Sequence, residues 1–209
     1  MTERKRIYNS PLRAEQAQRT RAAVLDAAAR CFLERGYAAT TMKDVAAAAG
    51  VSVQTVFGQG SKASLLLACV DRAVVGDDEE TPLAQRAAFV APVEATDRAG
   101  KLAAVRELVV RFVRQTVPMI EVFAAAAAGD PDIAEVWAEY ERRRLADQRL
   151  LIGSFEPWLR EGLDADRATE IAWALFTHEP ITNLVRVRGW SVEEYADFLV
   201  DAVDRLLLA

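Results

Sequence analysis

A chain of 209 residues with 52% apolar and 27% charged side chains can bury a substantial core, which excludes a disordered segment. The net charge of -5 conceals a split: residues 1–62 carry ten Lys/Arg against five Asp/Glu, and the remainder sixteen against twenty-six. A polyanion would therefore be met by the first segment and repelled by the rest. No window has the apolar length of a membrane span and the first residues lack a secretory apolar stretch, so a cytoplasmic protein without membrane contact is expected. Cys31 and Cys69 lie far apart within apolar patterns, giving neither a disulfide framework nor metal-ligand spacing, and both read as buried small hydrophobes.

Abundant Ala, Leu, Glu and Arg favour helix, and the fold class expected is all-α. Residues before about Arg13 read as a loose basic arm. A first helix spans Thr20 to Arg35, with Leu25, Ala28, Ala29 and Phe32 at helical spacing and Gly36 as its terminator. Thr41 and Asp44 form a relative of the capping box for a short second helix that Gly50 closes. Ser52 caps a third helix from Val53 to Phe57, and the Gly50-Val51-Ser52 connection has the length a helix-turn-helix uses. Gly58-Gln59-Gly60 breaks the chain before Ser61 caps a fourth helix holding Leu65, Leu66, Cys69 and Val70.

An acidic patch from Gly76 to Glu80 marks the boundary with a helical body. One helix covers Asp97 to Ala128 with Pro118 as a kink, and another starts near Asp130-Pro131 and carries Ile133, Val136, Trp137 and Tyr140 on one stripe. A third holds Ile171, Ala172, Leu175 and Phe176, breaks at Pro180 and resumes through Leu184. The last begins at a Ser191/Glu194 capping box with Trp190 and Tyr195 placed as a hydrophobic staple. Its stripe runs Tyr195, Phe198, Leu199, Ala202, Val203, Leu206. The domains read as 1–60 for the arm and three-helix head, 61–80 for the connecting fourth helix, and 81–209 for the body.

Three motifs invite chemistry. V-S-V-Q-T-V-F-G-Q-G-S-K, residues 51–62, superficially resembles a nucleotide loop. Its order is Gly60-Ser61-Lys62, the position five before Gly60 is Thr55, and no strand feeds it, so a P-loop is rejected. His178 is the single histidine and lacks the second His of a zinc-protease helix, which leaves no catalytic or metal residue and no cofactor to assign. Arg142-Arg143-Arg144 after Glu139 and Glu141 reads as a solvated face with ion pairs along the helix.

The helix-turn-helix reading accounts for the polar Gln54 and Thr55 on the third helix and for the confined positive charge. Residues 19–57, R-T-R-A-A-V-L-D-A-A-A-R-C-F-L-E-R-G-Y-A-A-T-T-M-K-D-V-A-A-A-A-G-V-S-V-Q-T-V-F, followed by S-K-A-S-L-L-L-A, resemble the DNA-binding segment of TetR-type (TetR/AcrR-like) transcriptional regulators. The C-terminal N-L-V-R-V-R-G-W-S-V-E-E-Y-A-D-F-L resembles the ligand-binding and dimerisation domain of such proteins. Where family members carry Tyr, a variable residue, His, Phe and one further residue before Ser/Asn-Lys, this chain has Phe57-Gly58-Gln59-Gly60-Ser61-Lys62, one residue shorter.

The resemblance implies a helix-turn-helix head that binds a near-palindromic double-stranded DNA operator as a homodimer, with the two heads entering major grooves about 34–36 Å apart. DNA contacts then fall to Arg21, Thr41, Ser52, Val53, Gln54, Thr55, Phe57, Gln59 and Lys62. Gln54 can pair with adenine, Val53 and Thr55 can meet a thymine methyl, and Thr41 can bond a phosphate. Amides freed at Gly58 to Ser61, with Lys62 and the start of the fourth helix, are expected to hold a backbone phosphate.

The resemblance also implies a repressor released by a small apolar or amphipathic effector, whose binding shifts the fourth helix. Phe89, Phe112, Met119, Phe123, Trp137, Tyr140, Trp173 and Phe176 are the pocket candidates, although plain core packing explains each of them alone. Leu175, Leu184, Tyr195, Phe198, Leu199, Ala202, Val203 and Leu206 are the dimer-interface candidates. The alternative is a helical ligand-binding or interaction protein that has lost specific DNA binding.

Overall fold

The structure is a computed structural model that describes residues 11–75 and 87–209, with side chains over 15–74 and 89–209. Residues 1–10 of the basic arm and the acidic stretch 76–80 lie outside the described residues. The chain forms two compact units, a head through Cys69 and a body from Val70, so the division falls inside one helix.

In the head, α1 (Pro11–Ala39) is interrupted at Gly36, whose φ of 78° is open to glycine and strained for other residues. α2 (Met42–Ala49) starts at a complete capping box: Thr41 Oγ1 accepts from the Asp44 amide, and the Asp44 carboxylate accepts from the Thr41 amide at 2.8 Å. It ends at Gly50 in the left-handed conformation. α3 (Val53–Phe57) is capped by Ser52, and α4 (Lys62–Val75) follows the Gly58–Gly60 turn. Val24, Ala27, Ala28, Phe32, Val45, Val56 and Leu66 are fully buried, so the small faces of the helices and Val56 meet in one core. Cys31 and Cys69 are buried and form no disulfide, and the Cys69 thiol donates to Leu25 O at 3.5 Å. Thr40 is a buried polar residue whose hydroxyl reaches Gly36 O at 2.8 Å and Cys31 O at 3.1 Å, satisfying it where the chain turns.

The body contains α5 (Ala87–Glu94), α6 (Arg98–Gln115), α7 (Val117–Gly129), α8 (Pro131–Gly153), α9 (Ala165–Leu175), α10 (His178–Ile181) and α11 (Val192–Leu207). A 3-10 turn covers Glu156–Trp158 and a π-helical turn Thr182–Val187. The helix expected over 97–128 is two helices that meet at Thr116. Pro118 does not kink a continuous rod; it sits in the first turn of α7, where its missing N–H has no intrahelical partner to lose. Thr116 is buried and its hydroxyl donates to Ala73 O at 2.9 Å.

Val105, Val109 and Val113 of α6 pack with Tyr195, Leu199, Val203 and Leu207 of α11 in the main core, joined by Phe155, Ala168, Ala172 and Ile181. α11 starts at the expected capping box, and Trp190 lies edge-on against Phe198, with ring centres 5.7 Å apart. The C-terminus is pinned: Arg98 Nη2 reaches Asp204 Oδ1 at 2.7 Å, and Ala209 N donates to Trp158 O. Among the described residues no helix is long and apolar enough to cross a membrane.

Candidate nucleic-acid interface and effector site

The projecting helix of the head is built locally. Ser52, in extended conformation, accepts the Thr55 amide at 3.0 Å, and its hydroxyl also meets that of Thr55 at 2.8 Å. The cap fixes the phase of α3: Val56 turns fully inward, Gln54 stands exposed, and Val53 and Thr55 are half-buried on either side of it. Phe57 lies 60% exposed, large for an apolar ring at the end of a surface helix. Arg21 is exposed on α1, and Gln59 is half-buried in the turn.

The turn and Lys62 differ from expectation. The amides of Gly58, Gln59 and Gly60 are not free: they donate to Gln54 O, Val56 O and Phe57 O at 2.9 to 3.1 Å, because the chain winds on past α3 before it breaks. The break itself needs Gly60, whose φ is 131° and where a Cβ would stand 2.3 Å from Ser64 Oγ. Ser61 then caps α4 through the Ser64 amide.

Lys62 points back into the head. Its Nζ donates to Tyr37 O at 2.9 Å and Thr40 O at 3.0 Å and lies 4.1 Å from the centre of the Tyr37 ring. Thr41 is also engaged, its hydroxyl donating to Asp44 Oδ2 at 2.6 Å. That bond and the Thr41 amide hold the Asp44 carboxyl below its ordinary range, with Arg35 adding to the effect from 3.2 Å.

The body's candidates divide into groups. Phe123, Trp137 and Tyr140 touch one another, with ring centres 5.0 to 5.8 Å apart, and His178 stands edge-on to Trp137 at 5.7 Å. Burial pushes the Tyr140 hydroxyl far above its ordinary pKa. Phe112 and Phe176 form a second pair at 5.0 Å, while Phe89 and Met119 are buried. Trp173 lies beneath the guanidinium of Arg144, 4.5 Å from its central carbon.

Arg144 therefore does not share the solvated face of Arg142 and Arg143: its side chain is 16% exposed, theirs 73% and 53%. The signal was in the phase, since Arg144 and Gln148 continue the inward stripe of Ile133, Trp137 and Tyr140 at steps of three and four. Of the dimer candidates, Tyr195, Leu199 and Val203 turn into the protomer's own core, and the Tyr195 hydroxyl donates to Leu175 O. Leu175, Leu184 and Ala202 are half-buried, whereas Phe198 at 40% and Leu206 at 46% face outward.

Residues 24–69, the core of the head, match the model of bacterial regulatory proteins of the tetR family. The head is thus similar to proteins of that family. It is similar to the HTH-type transcriptional regulator TtgR of Pseudomonas putida, 39% identical over 80 residues. That match covers 33% of this chain and 38% of the relative, so the chain spans well under half the length of the curated relatives it matches.

Solved structures share the fold well beyond the head. The SmeT–triclosan complex superposes with a TM-score of 0.71 over 92% of this chain and 93% of that one, at 20% identity. SmeT is the repressor of a Stenotrophomonas maltophilia multidrug efflux pump. A Saccharomonospora viridis protein in complex with choline superposes with a TM-score of 0.69 over 92% and 99%, at 22% identity.

Proposed function

We propose that the protein is a sequence-specific DNA-binding transcriptional regulator, acting as a homodimeric repressor that a small effector releases from its operator. The observation that carries this reading is the exposed Gln54 on a helix locked by Ser52 and turned by Gly50, within a head that matches the tetR family. In the major groove such a side chain can donate and accept at the edge of adenine, with Val53 and Thr55 beside it against a thymine methyl. Positive charge concentrated in the head supports docking on phosphates, and the acidic body keeps other surfaces off the duplex.

Arg21, exposed on α1, is suited to a phosphate contact. Lys62 acts chiefly inside the head, holding the α1–α2 corner against α4. Support for the effector comes from the body, whose fold is that of proteins solved with triclosan and with choline. Its aromatic groups give apolar walls for a ligand of that size. The outward Phe198 and Leu206 of α11 are the residues we assign to the dimer contact.

The experiment is selection from random duplex DNA, followed by anisotropy titration of the enriched duplex in the presence of a compound library. The reading predicts a near-palindromic motif and at least one compound that lowers affinity for it. Compounds that bind the body yet leave DNA affinity unchanged would remove the effector half and leave the DNA-binding half standing.

A further inference from the structure

Among the described residues, three buried side-chain atoms of the body have no hydrogen-bond partner: Arg144 Nε, Gln148 Oε1 and Trp173 Nε1. They belong together. Arg144 and Gln148 stand one turn apart on α8, and the Arg144 guanidinium lies over the Trp173 ring of α9. Arg144 is fixed by its other nitrogens: Nη1 donates to Phe176 O at 2.6 Å, at the carbonyl end of α9, and Nη2 to Glu141 Oε2 at 3.0 Å. Those bonds leave the Nε edge of the guanidinium presented without an acceptor. Buried polar groups are satisfied in the great majority of folded proteins, so three orphans on adjoining side chains mark a place built for something else to bond.

The chemistry of the missing partner follows from the donor set. Two N–H groups, on Arg144 and Trp173, ask for acceptor lone pairs, and the Gln148 carbonyl asks for a donor. Net charge points to a neutral group, because the Arg144 cation is already paired with Glu141 in a half-buried ion pair, with side chains 16% and 22% exposed. An added carboxylate would face Glu141 as well as Arg144. The nearest apolar group the bonds point to is the Phe112–Phe176 ring pair, since the Phe176 carbonyl is the one that accepts from Arg144.

We propose that the effector carries a neutral head group of the carboxamide class. Its carbonyl oxygen accepts from Arg144 Nε and Trp173 Nε1, its N–H donates to Gln148 Oε1, and its apolar body lies along Phe112 and Phe176. This rests on the effector reading above and narrows it to amphipathic ligands with one acceptor and one donor at the same end. A single water molecule would make the same three bonds without the apolar contact, and the ligand series below separates the two.

The test uses the full chain and three probes with a common body, titrated calorimetrically: 2-naphthamide, 2-naphthoate and 2-methylnaphthalene. 2-Naphthamide is expected to bind about tenfold or more tightly than 2-methylnaphthalene, from two or three satisfied buried bonds. In Trp173→Phe and Gln148→Met, which keep the apolar volume, that margin should shrink severalfold while 2-methylnaphthalene binds as before. Equal binding of 2-naphthamide and 2-methylnaphthalene would overturn the proposal and leave water as the partner. So would a margin that survives both substitutions, or tighter binding of 2-naphthoate, which would make Arg144 an anion site. Failure of all three probes to bind would overturn it too. The library screen on DNA affinity then shows independently whether the body takes any effector.

Discussion

Replacing Lys62 by methionine separates a structural role from a DNA-contacting one. Methionine keeps the stem and removes the ammonium. The change deletes two charged-donor hydrogen bonds, to Tyr37 O and Thr40 O, and the contact with the Tyr37 ring. Bonds of that kind are worth about 1.5–3 kcal/mol each when buried, and the cation–ring contact about 0.5–1 kcal/mol near a surface. Lys62 is half-exposed, so water can take over part of the carbonyls' bonding, and a net loss of about 2 kcal/mol is expected. Local opening at the α1–α2 corner should rise by about thirtyfold, since each 1.4 kcal/mol is a factor of ten. Hydrogen exchange on peptides from 24–69 reads this directly, with peptides of 98–207 as the internal reference. The slope of DNA affinity against salt should change by well under the 0.9 or so that one lost phosphate contact removes. Unchanged exchange in the head, with a slope reduced by about one, would refute the reasoning and place Lys62 on a phosphate.

Gln54→Ala should weaken the selected duplex by about 1–3 kcal/mol and relax preference at one base position, with unfolding within about 0.5 kcal/mol of the parent because Gln54 is exposed. Competition titration with base-substituted duplexes checks it. Tyr195→Phe removes the bond to Leu175 O and should cost the body about 1 kcal/mol in denaturant unfolding, without altering the salt slope of DNA binding. Asp44 has its folded pKa lowered by Thr41 and Arg35, so its contribution to stability is present above the ordinary value of 3.8 and is lost as pH falls through the lowered value. Asp44→Asn should remove that acid-dependent loss, read as a flatter stability curve below pH 3.8 in acid titration by circular dichroism.

What could be read in advance was local chemistry. Thr41 with Asp44 and Ser191 with Glu194 declare helix starts through spacing alone, and both capping boxes form as expected. Gly36 and Gly50 interrupt or end helices because each adopts a positive φ. The split of 97–128 was harder, because Pro118 fits a kink or a first turn equally well, and only the tie from Thr116 to Ala73 marks the break. Stripe arithmetic showed that Tyr195, Leu199 and Val203 share a face with Phe198 and Leu206. It could not show that the first three meet α6 while the others look outward. The internal bonds of Lys62 escape the sequence for a related reason: its partners lie 22 and 25 residues away, beyond any local pattern. Arg144 was hidden by its neighbours, since a run of three arginines looks solvated until its helical phase is followed.

The central claim is that α3, with Gln54 at its exposed centre, reads DNA sequence. Selection of the purified protein against random duplex DNA at near-physiological salt tests it most directly. The account predicts an enriched near-palindrome whose half-sites lie about one helical turn, or a multiple of it, apart, with enrichment lost in Gln54→Ala. A folded protein that enriches no sequence, or a Gln54→Ala variant that enriches the same motif as strongly, would contradict it.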